Sequence, residues 1–304
     1  MKKNKIVPFS NEKGSESKQK IKKKKMNKTS NSMQGIINNN EPFFEGMTFD
    51  YVQEPLVELA TCTGVLIKQK PDLREAKSGY ETPNRYHVFG QCGDNFKYLF
   101  NCRERSEFCM RNCCPSSSRE FNMEISHISS PHMRASDCIF ANAYKPFTCQ
   151  CCCFFCCNSE LVLNLCGKND QQIKVGIVKH LLTVCDPEFE IYDETNQLKY
   201  IVTANGCQCG LICANCCIGK CYEVSFDILN PIDNKVIGNV IRRMAEGDEM
   251  ITDADTYEII FPVTLNATDK LLILALGLMI DYQYFETTNF KRKKGRKRNR
   301  ITIL

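Results

Sequence analysis

From Pro55 onward the chain is a succession of short apolar or alternating segments, broken by Gly, Asn and Asp. This is the pattern of strands joined by turns. Residues 85–89, 96–100, 121–125, 160–165, 173–178, 189–192, 198–202, 222–228, 236–241 and 257–261 all fit it. Residues 90–95, 193–196 and 230–234 supply turn chemistry between pairs of them. No long helical periodicity separates the segments, so an α/β arrangement is disfavoured and a barrel or sandwich is expected. The fold class read from this pattern is mainly β.

One segment departs from it. Leu271, Leu272, Ile273, Leu274, Ala275, Leu276, Gly277, Leu278, Met279 and Ile280 form an uninterrupted apolar run with Asp269 and Lys270 before it and Asp281 after it. Such a run suits a helix that is apolar on every face and therefore buried. A membrane span needs roughly 20 mostly apolar residues, and extending this run to Phe285 takes in Asp281 and Gln283. A single span with a cytosolic N-terminus would also carry the basic C-terminal tail outside, against the positive-inside bias. A helix over about 269–286, buried in the β-structure, is preferred to a span.

The formal net charge of +5 over 304 residues is unevenly distributed. Eleven lysines lie in residues 1–28 against Glu12 and Glu16, and eight basic residues with no acid lie in residues 291–300. Residues 1–41 are rich in Lys, Asn and Ser and too poor in apolar surface to offset the entropy of ordering. The expected organisation is a disordered basic arm over 1–41, a barrel domain over 42–288 and a basic tail over 289–304. Lys22, Lys23, Lys24 and Lys25, with Lys293, Lys294, Arg296, Lys297 and Arg298, are candidates for binding anionic lipid or nucleic acid. The N-terminus has no apolar stretch of secretory type, so the chain is expected to face the cytosol.

Fifteen of the 21 cysteines fall in three clusters. These are Cys109, Cys113 and Cys114; Cys149, Cys151, Cys152, Cys153, Cys156 and Cys157; and Cys207, Cys209, Cys213, Cys216, Cys217 and Cys221. A reducing compartment argues against a disulfide framework and leaves metal binding, lipidation or burial. Cys153 with Cys156 and Cys213 with Cys216 have zinc-pair spacing. Consecutive thiols beside Phe154 and Phe155 fit S-acylation better, because two or more acyl chains give stable anchoring. Isolated Cys62, Cys166 and Cys185 read as small core hydrophobes. Around Asp253 and Asp255 the spacing of an orthodox twelve-residue calcium loop fails, leaving at most a weak site. The four histidines lack metal spacing and no catalytic set is evident, so an enzyme working by covalent chemistry is not expected.

Six pieces, in order, resemble the phospholipid scramblase family. They are residues 84–88 with Gly93; the Cys109–Cys114 segment with Arg119 and Phe121; Cys151–Cys157; residues 206–217 followed by Tyr222; residues 252–255 with Phe261 and Pro262; and residues 280–286. The resemblance implies a tubby-like closed β-barrel of about twelve strands around a hydrophobic C-terminal helix. It also implies calcium-stimulated, ATP-independent movement of phospholipids in both directions between leaflets, with palmitoylation of Cys149–Cys157 holding the protein at the plasma membrane. Its calcium segment would fall on Asp253, Asp255, Tyr257, Ile259, Phe261 and Thr264. The chain lacks the proline-rich N-terminal repeats common in that family, has Phe154 and Phe155 where a proline is usual, and ends in a more basic tail.

Three functions compete on this reading. The first is a lipid-moving protein on the bilayer, with anionic lipids as partners and oligomerisation open. The second is a palmitoylated adaptor or nuclear-shuttling DNA-binding protein with a nuclear pool. The third is a zinc-stabilised interaction module.

Overall fold

The computed structural model describes residues 50–70, 78, 80–127, 138–148, 158–167, 171–183, 185–212, 223–243, 255–262 and 264–286. Twelve strands run in chain order: β1 Gly64–Gln69, β2 Arg85–Cys92, β3 Asn95–Arg105, β4 Phe121–His127, β5 Ile139–Lys145, β6 Ser159–Cys166, β7 Gln172–Leu181, β8 Glu188–Asp193, β9 Leu198–Thr203, β10 Val224–Leu229, β11 Val236–Arg243 and β12 Thr256–Ile260. Each pairs antiparallel with its neighbour in sequence, and β1 pairs with β12 to close the barrel. Closure leaves no sheet edge exposed. Five pairings carry a register shift, for instance between Val88 and Phe89. Such bulges bend and twist strands, as a closed barrel requires.

Side-chain alternation decides what faces inward. In β6, Ser159, Leu161, Leu163 and Leu165 are buried while their neighbours are partly exposed, and Val224, Phe226 and Ile228 do the same in β10. The inward rows pack on a helix, α4, Ala267–Ile280. Asn266 caps it: its side chain accepts the backbone N–H of Asp269 at 2.7 Å. Leu271 to Ile280 have essentially no exposure, as expected of a helix apolar on all sides. Gly277 lets α4 approach the wall closely, since a Cβ there would lie 3.1 Å from both Ile67 and Ile259. A five-residue π-helical turn, Asp281–Phe285, follows directly.

Two strands and three helices are not evident in the sequence. β1 offers only the short run Val65-Leu66-Ile67, and in β5 the small Ala141 and Ala143 and the buried Lys145 blur the alternation. Residues 50–60, part of which the sequence reading gives to the strand-and-turn region, are instead helix α1, Asp50–Ala60. Its buried Val52, Pro55, Leu56 and Leu59 follow helical spacing, but Pro55 inside the helix hides the signal. α1 packs on α4, β3 and β5. Lys270 of α4 donates to the carbonyls of Ala60 at 2.7 Å and Cys62 at 2.8 Å, placing a cation at the C-terminal end of α1. The remaining short helices are α2, Phe108–Cys113, and α3, Cys209–Ile212.

A meander barrel sorts its connections onto two ends. The α1–β1, β2–β3, β4–β5, β6–β7, β8–β9 and β10–β11 connections lie at one, together with the entry to α4. At the other lie β1–β2, β3–β4, β5–β6, β7–β8, β9–β10 and β11–β12, with the exit from α4. Several turns at the first end are tight, with Gly93, Asn196 and Asn234 at φ of +64°, +62° and +52°. In sequence the three cysteine clusters fall in the β3–β4, β5–β6 and β9–β10 connections, which join strands at the second end, and Cys109, Cys113, Cys114, Cys207 and Cys209 are the described members.

Candidate functional site

At the cysteine end the lumen is closed by polar side chains. Arg119, fully buried just before β4, donates through Nη1 to Glu81 Oε2 at 2.8 Å and through Nη2 to Glu286 Oε1, and Glu104 Oε1 stands 3.6 Å from Nη2. Glu104 Oε2 also accepts the Tyr282 hydroxyl at 2.8 Å and the backbone N–H of Asn84 at 2.7 Å. Phe121 stacks on Tyr282 at 4.1 Å between ring centroids, and the Arg119 guanidinium lies over the Tyr282 ring at 5.0 Å. Arg119 and Glu286 thus join two sequence motifs 167 residues apart.

A second group sits beside the first. Asp281, buried at the start of the π turn, accepts the hydroxyls of Tyr86 at 2.6 Å and Tyr257 at 2.7 Å. Arg242 on β11 donates to Asp255 Oδ1 at 2.7 Å and lies 4.0 Å over the Phe285 ring. Lys145 donates to the carbonyl of Arg119 at 3.0 Å.

Three carboxylates around one guanidinium carry surplus negative charge in a dry site, and a group there keeps its proton more readily. Burial pushes Glu286 up to about 8 despite Arg119, with Glu104 and Asp281 adding to the rise. Burial, reinforced by Asp255, pushes Asp281 up to about 6 against its two tyrosine donors. Burial and then the Arg119 charge lower Lys145 to about 8. The arrangement anchors the end of α4 to β2, β3, β11 and β12; it contains no nucleophile paired with a base.

The residues singled out in the sequence are placed unevenly. Leu271, Leu272, Ile273, Leu274, Leu276, Leu278, Met279 and Ile280 converge as the barrel core. No helix among the described residues is long and apolar enough to cross a membrane. In the calcium segment, β12 holds Tyr257 and Ile259 side by side on its inward face at a rise of about 3.3 Å per residue. Tyr257 bonds Asp281, Ile259 and Phe261 are buried apolar side chains, Thr264 is exposed beyond the strand, and Asp255 faces Arg242. These five therefore do not form one coordination sphere, and Asp253 lies outside the described residues.

Cys149, Cys151, Cys152, Cys153, Cys156 and Cys157 lie outside the described residues, as do Cys213, Cys216, Lys22–Lys25, Lys293, Lys294, Arg296, Lys297 and Arg298. Among the described residues no three His, Cys, Asp or Glu side chains converge to hold a metal. Cys109, Cys113, Cys207 and Cys209 are exposed free thiols. Of the three cysteines assigned to the core, Cys62 is buried but Cys166 is only half-buried. Cys185 is exposed, because it sits in the β7–β8 connection and not on an inward strand position.

A closed twelve-stranded antiparallel barrel threaded by its own apolar C-terminal helix, with an ion cluster sealing one mouth, defines the class. This is the architecture implied by the sequence resemblance. The Scramblase family model matches residues 48–287, and the chain belongs to that family. It is 26% identical over 240 residues to phospholipid scramblase 1 of Mus musculus, covering 78% of this chain and 65% of that protein. For phospholipid scramblase 1 of Rattus norvegicus the figures are 26% identity, 76% and 62%. For phospholipid scramblase 2 of Bos taurus they are 28% identity, 74% and 69%. The match therefore spans a little under two thirds of the mouse and rat proteins.

Proposed function

We propose that this chain moves phospholipids between bilayer leaflets in both directions without ATP and without covalent chemistry. Membership of the scramblase family across residues 48–287 carries the reading. The lumen is filled by α4 and sealed by the Arg119 cluster, so lipids would move along the outside of the barrel or beside it. In this reading acyl chains on Cys149, Cys151, Cys152, Cys153, Cys156 and Cys157 hold the protein at the cytosolic face of the plasma membrane. The basic arm and tail bind anionic headgroups.

Calcium stimulation belongs to the same proposal, with Asp253 and Asp255 as donors. Because Arg242 occupies Asp255, calcium would have to displace a buried guanidinium, which makes the site weak. Purified protein in liposomes should accelerate the dithionite accessibility of labelled lipid, more so with calcium. No acceleration at any calcium level would remove the activity and favour the palmitoylated adaptor or DNA-binding alternative.

A further inference from the structure

The surface of the cysteine end has a pattern that the ion cluster does not explain. Among the described residues, five successive connections at that end each present a large apolar side chain to solvent: Tyr80 between β1 and β2, Phe108 between β3 and β4, Phe147 between β5 and β6, Leu182 between β7 and β8, and Ile212 between β9 and β10. Their exposures run from 50% to 71%. Tyr80 and Phe108 meet across adjacent connections, with ring centroids 5.6 Å apart. Exposed thiols alternate with them on the same connections, among them Cys109, Cys185 and Cys209.

Isolated exposed apolar residues are ordinary on a soluble protein. Five on successive connections, all at the same end of the barrel, form instead a shared apolar feature of that end. The sequence that follows the described residues points to the partner. Glu286 is the last described residue and leaves at this end, and the eight basic residues of 291–300 follow within a few positions. Exposed apolar side chains at the end from which a sequence rich in Lys and Arg continues complement the surface of an anionic bilayer, where aromatic and aliphatic side chains enter the headgroup boundary and Lys and Arg remain with the phosphates.

We infer that the cysteine end is a bilayer-docking face, inserted through Tyr80, Phe108, Phe147, Leu182 and Ile212. It takes its partner class from the lipid-moving reading above and adds to it an orientation, with the barrel axis standing on the membrane and the exposed thiols presented at the depth where acyl chains begin. The tight-turn end faces away, although Phe96, Ile232, Val236 and Ile260 are exposed there.

The chain contains no tryptophan, so a single introduced indole reports its own surroundings. Full-length, unacylated Leu182→Trp, Ile212→Trp and, at the opposite end, Ile232→Trp are mixed with phosphatidylcholine vesicles, with and without phosphatidylserine. The first two should shift to the blue and be quenched by brominated acyl chains, more strongly with phosphatidylserine; the third should do neither. Changing Phe147, Leu182 and Ile212 together to Ser should weaken vesicle binding by at least about tenfold.

Equal quenching at position 232 would overturn the docking face. So would binding with the indoles of 182 and 212 left in water, as attachment through the tail alone would give, or an unchanged affinity in the triple variant. Docking without any lipid movement in the liposome assay would retire the lipid-moving reading and keep the face. Lipid movement with both indoles in water would do the reverse.

Discussion

The two ends of the barrel are built by opposite rules. The tight-turn end is closed by local chemistry: Gly93, Asn196 and Asn234 adopt left-handed conformations, Asp193 accepts the backbone N–H groups of Thr195 and Gln197, and Asn266 caps α4. At the cysteine end the connections are longer, and the lumen is held shut by a buried polar cluster of Glu81, Glu104, Arg119 and Glu286, far apart in sequence. The first end specifies the fold through interactions each worth about 1 kcal/mol. The second concentrates energy in one buried cluster, where removing a single partner strands the others.

The sharpest way to break this contrast is Arg119→Met. It leaves Glu81, Glu104 and Glu286 without their common cation and should cost about 3–5 kcal/mol in a denaturant titration. Loss of less than 1 kcal/mol would mean that the cluster does not hold the α4 exit. Gly277→Val places a side chain where Ile67 and Ile259 already lie 3.1 Å from a Cβ, and should cost about 1–3 kcal/mol. Its effect tests the middle of the lumen independently of either end.

The cluster should also reverse the usual dependence of stability on acid. Glu286 and Asp281 hold their protons more tightly folded than unfolded. Their contribution is therefore complete below the ordinary carboxylate range and declines as pH rises, through about 6 for Asp281 and about 8 for Glu286. Lys145, lowered to about 8, prefers to be neutral when folded, so its cost persists below 8 and is relieved only above it. The urea midpoint should fall between pH 5 and 8, and Glu286→Gln should remove most of that fall; an unchanged slope in the variant would assign it elsewhere. The smallest effect belongs to the other end, where Asn266→Ala should cost about 1 kcal/mol through loss of the α4 cap.

The same contrast explains what could be read from the sequence. The tight turns and alternating strands are local signals, so ten strands, three turns and the apolar helix were legible from residues such as Asn234 and the run from Leu271 to Ile280. β5 was not, because Ala141, Ala143 and Lys145 face inward where large apolar residues would have marked the alternation. Nor was α1, whose Pro55 interrupts a helical row of buried residues. The cluster was the least legible part. Arg119 and the segment up to Glu286 stood out only as pieces of separate motifs, and nothing local to Glu81 or Glu104 says that they meet. The one available signal was a charged residue at an inward strand position, as with Glu104 on β3 and Arg242 on β11. The calcium segment illustrates the converse. Its spacing fails as a twelve-residue calcium loop and residues 257–261 read as a strand, and β12 extends those up to Ile260 along the wall.

Both the lipid-moving proposal and the docking face require α4 to remain inside the barrel when the protein is on a membrane. Hydrogen exchange of the vesicle-bound protein tests this directly, by comparing the amides of residues 271–280 with those of the β1, β6, β7 and β12 strands around them. Helix and strands should stay protected together, at the level of the free protein. Protection kept in the helix but lost from those strands would show that α4 has left the barrel for the bilayer, and would contradict both.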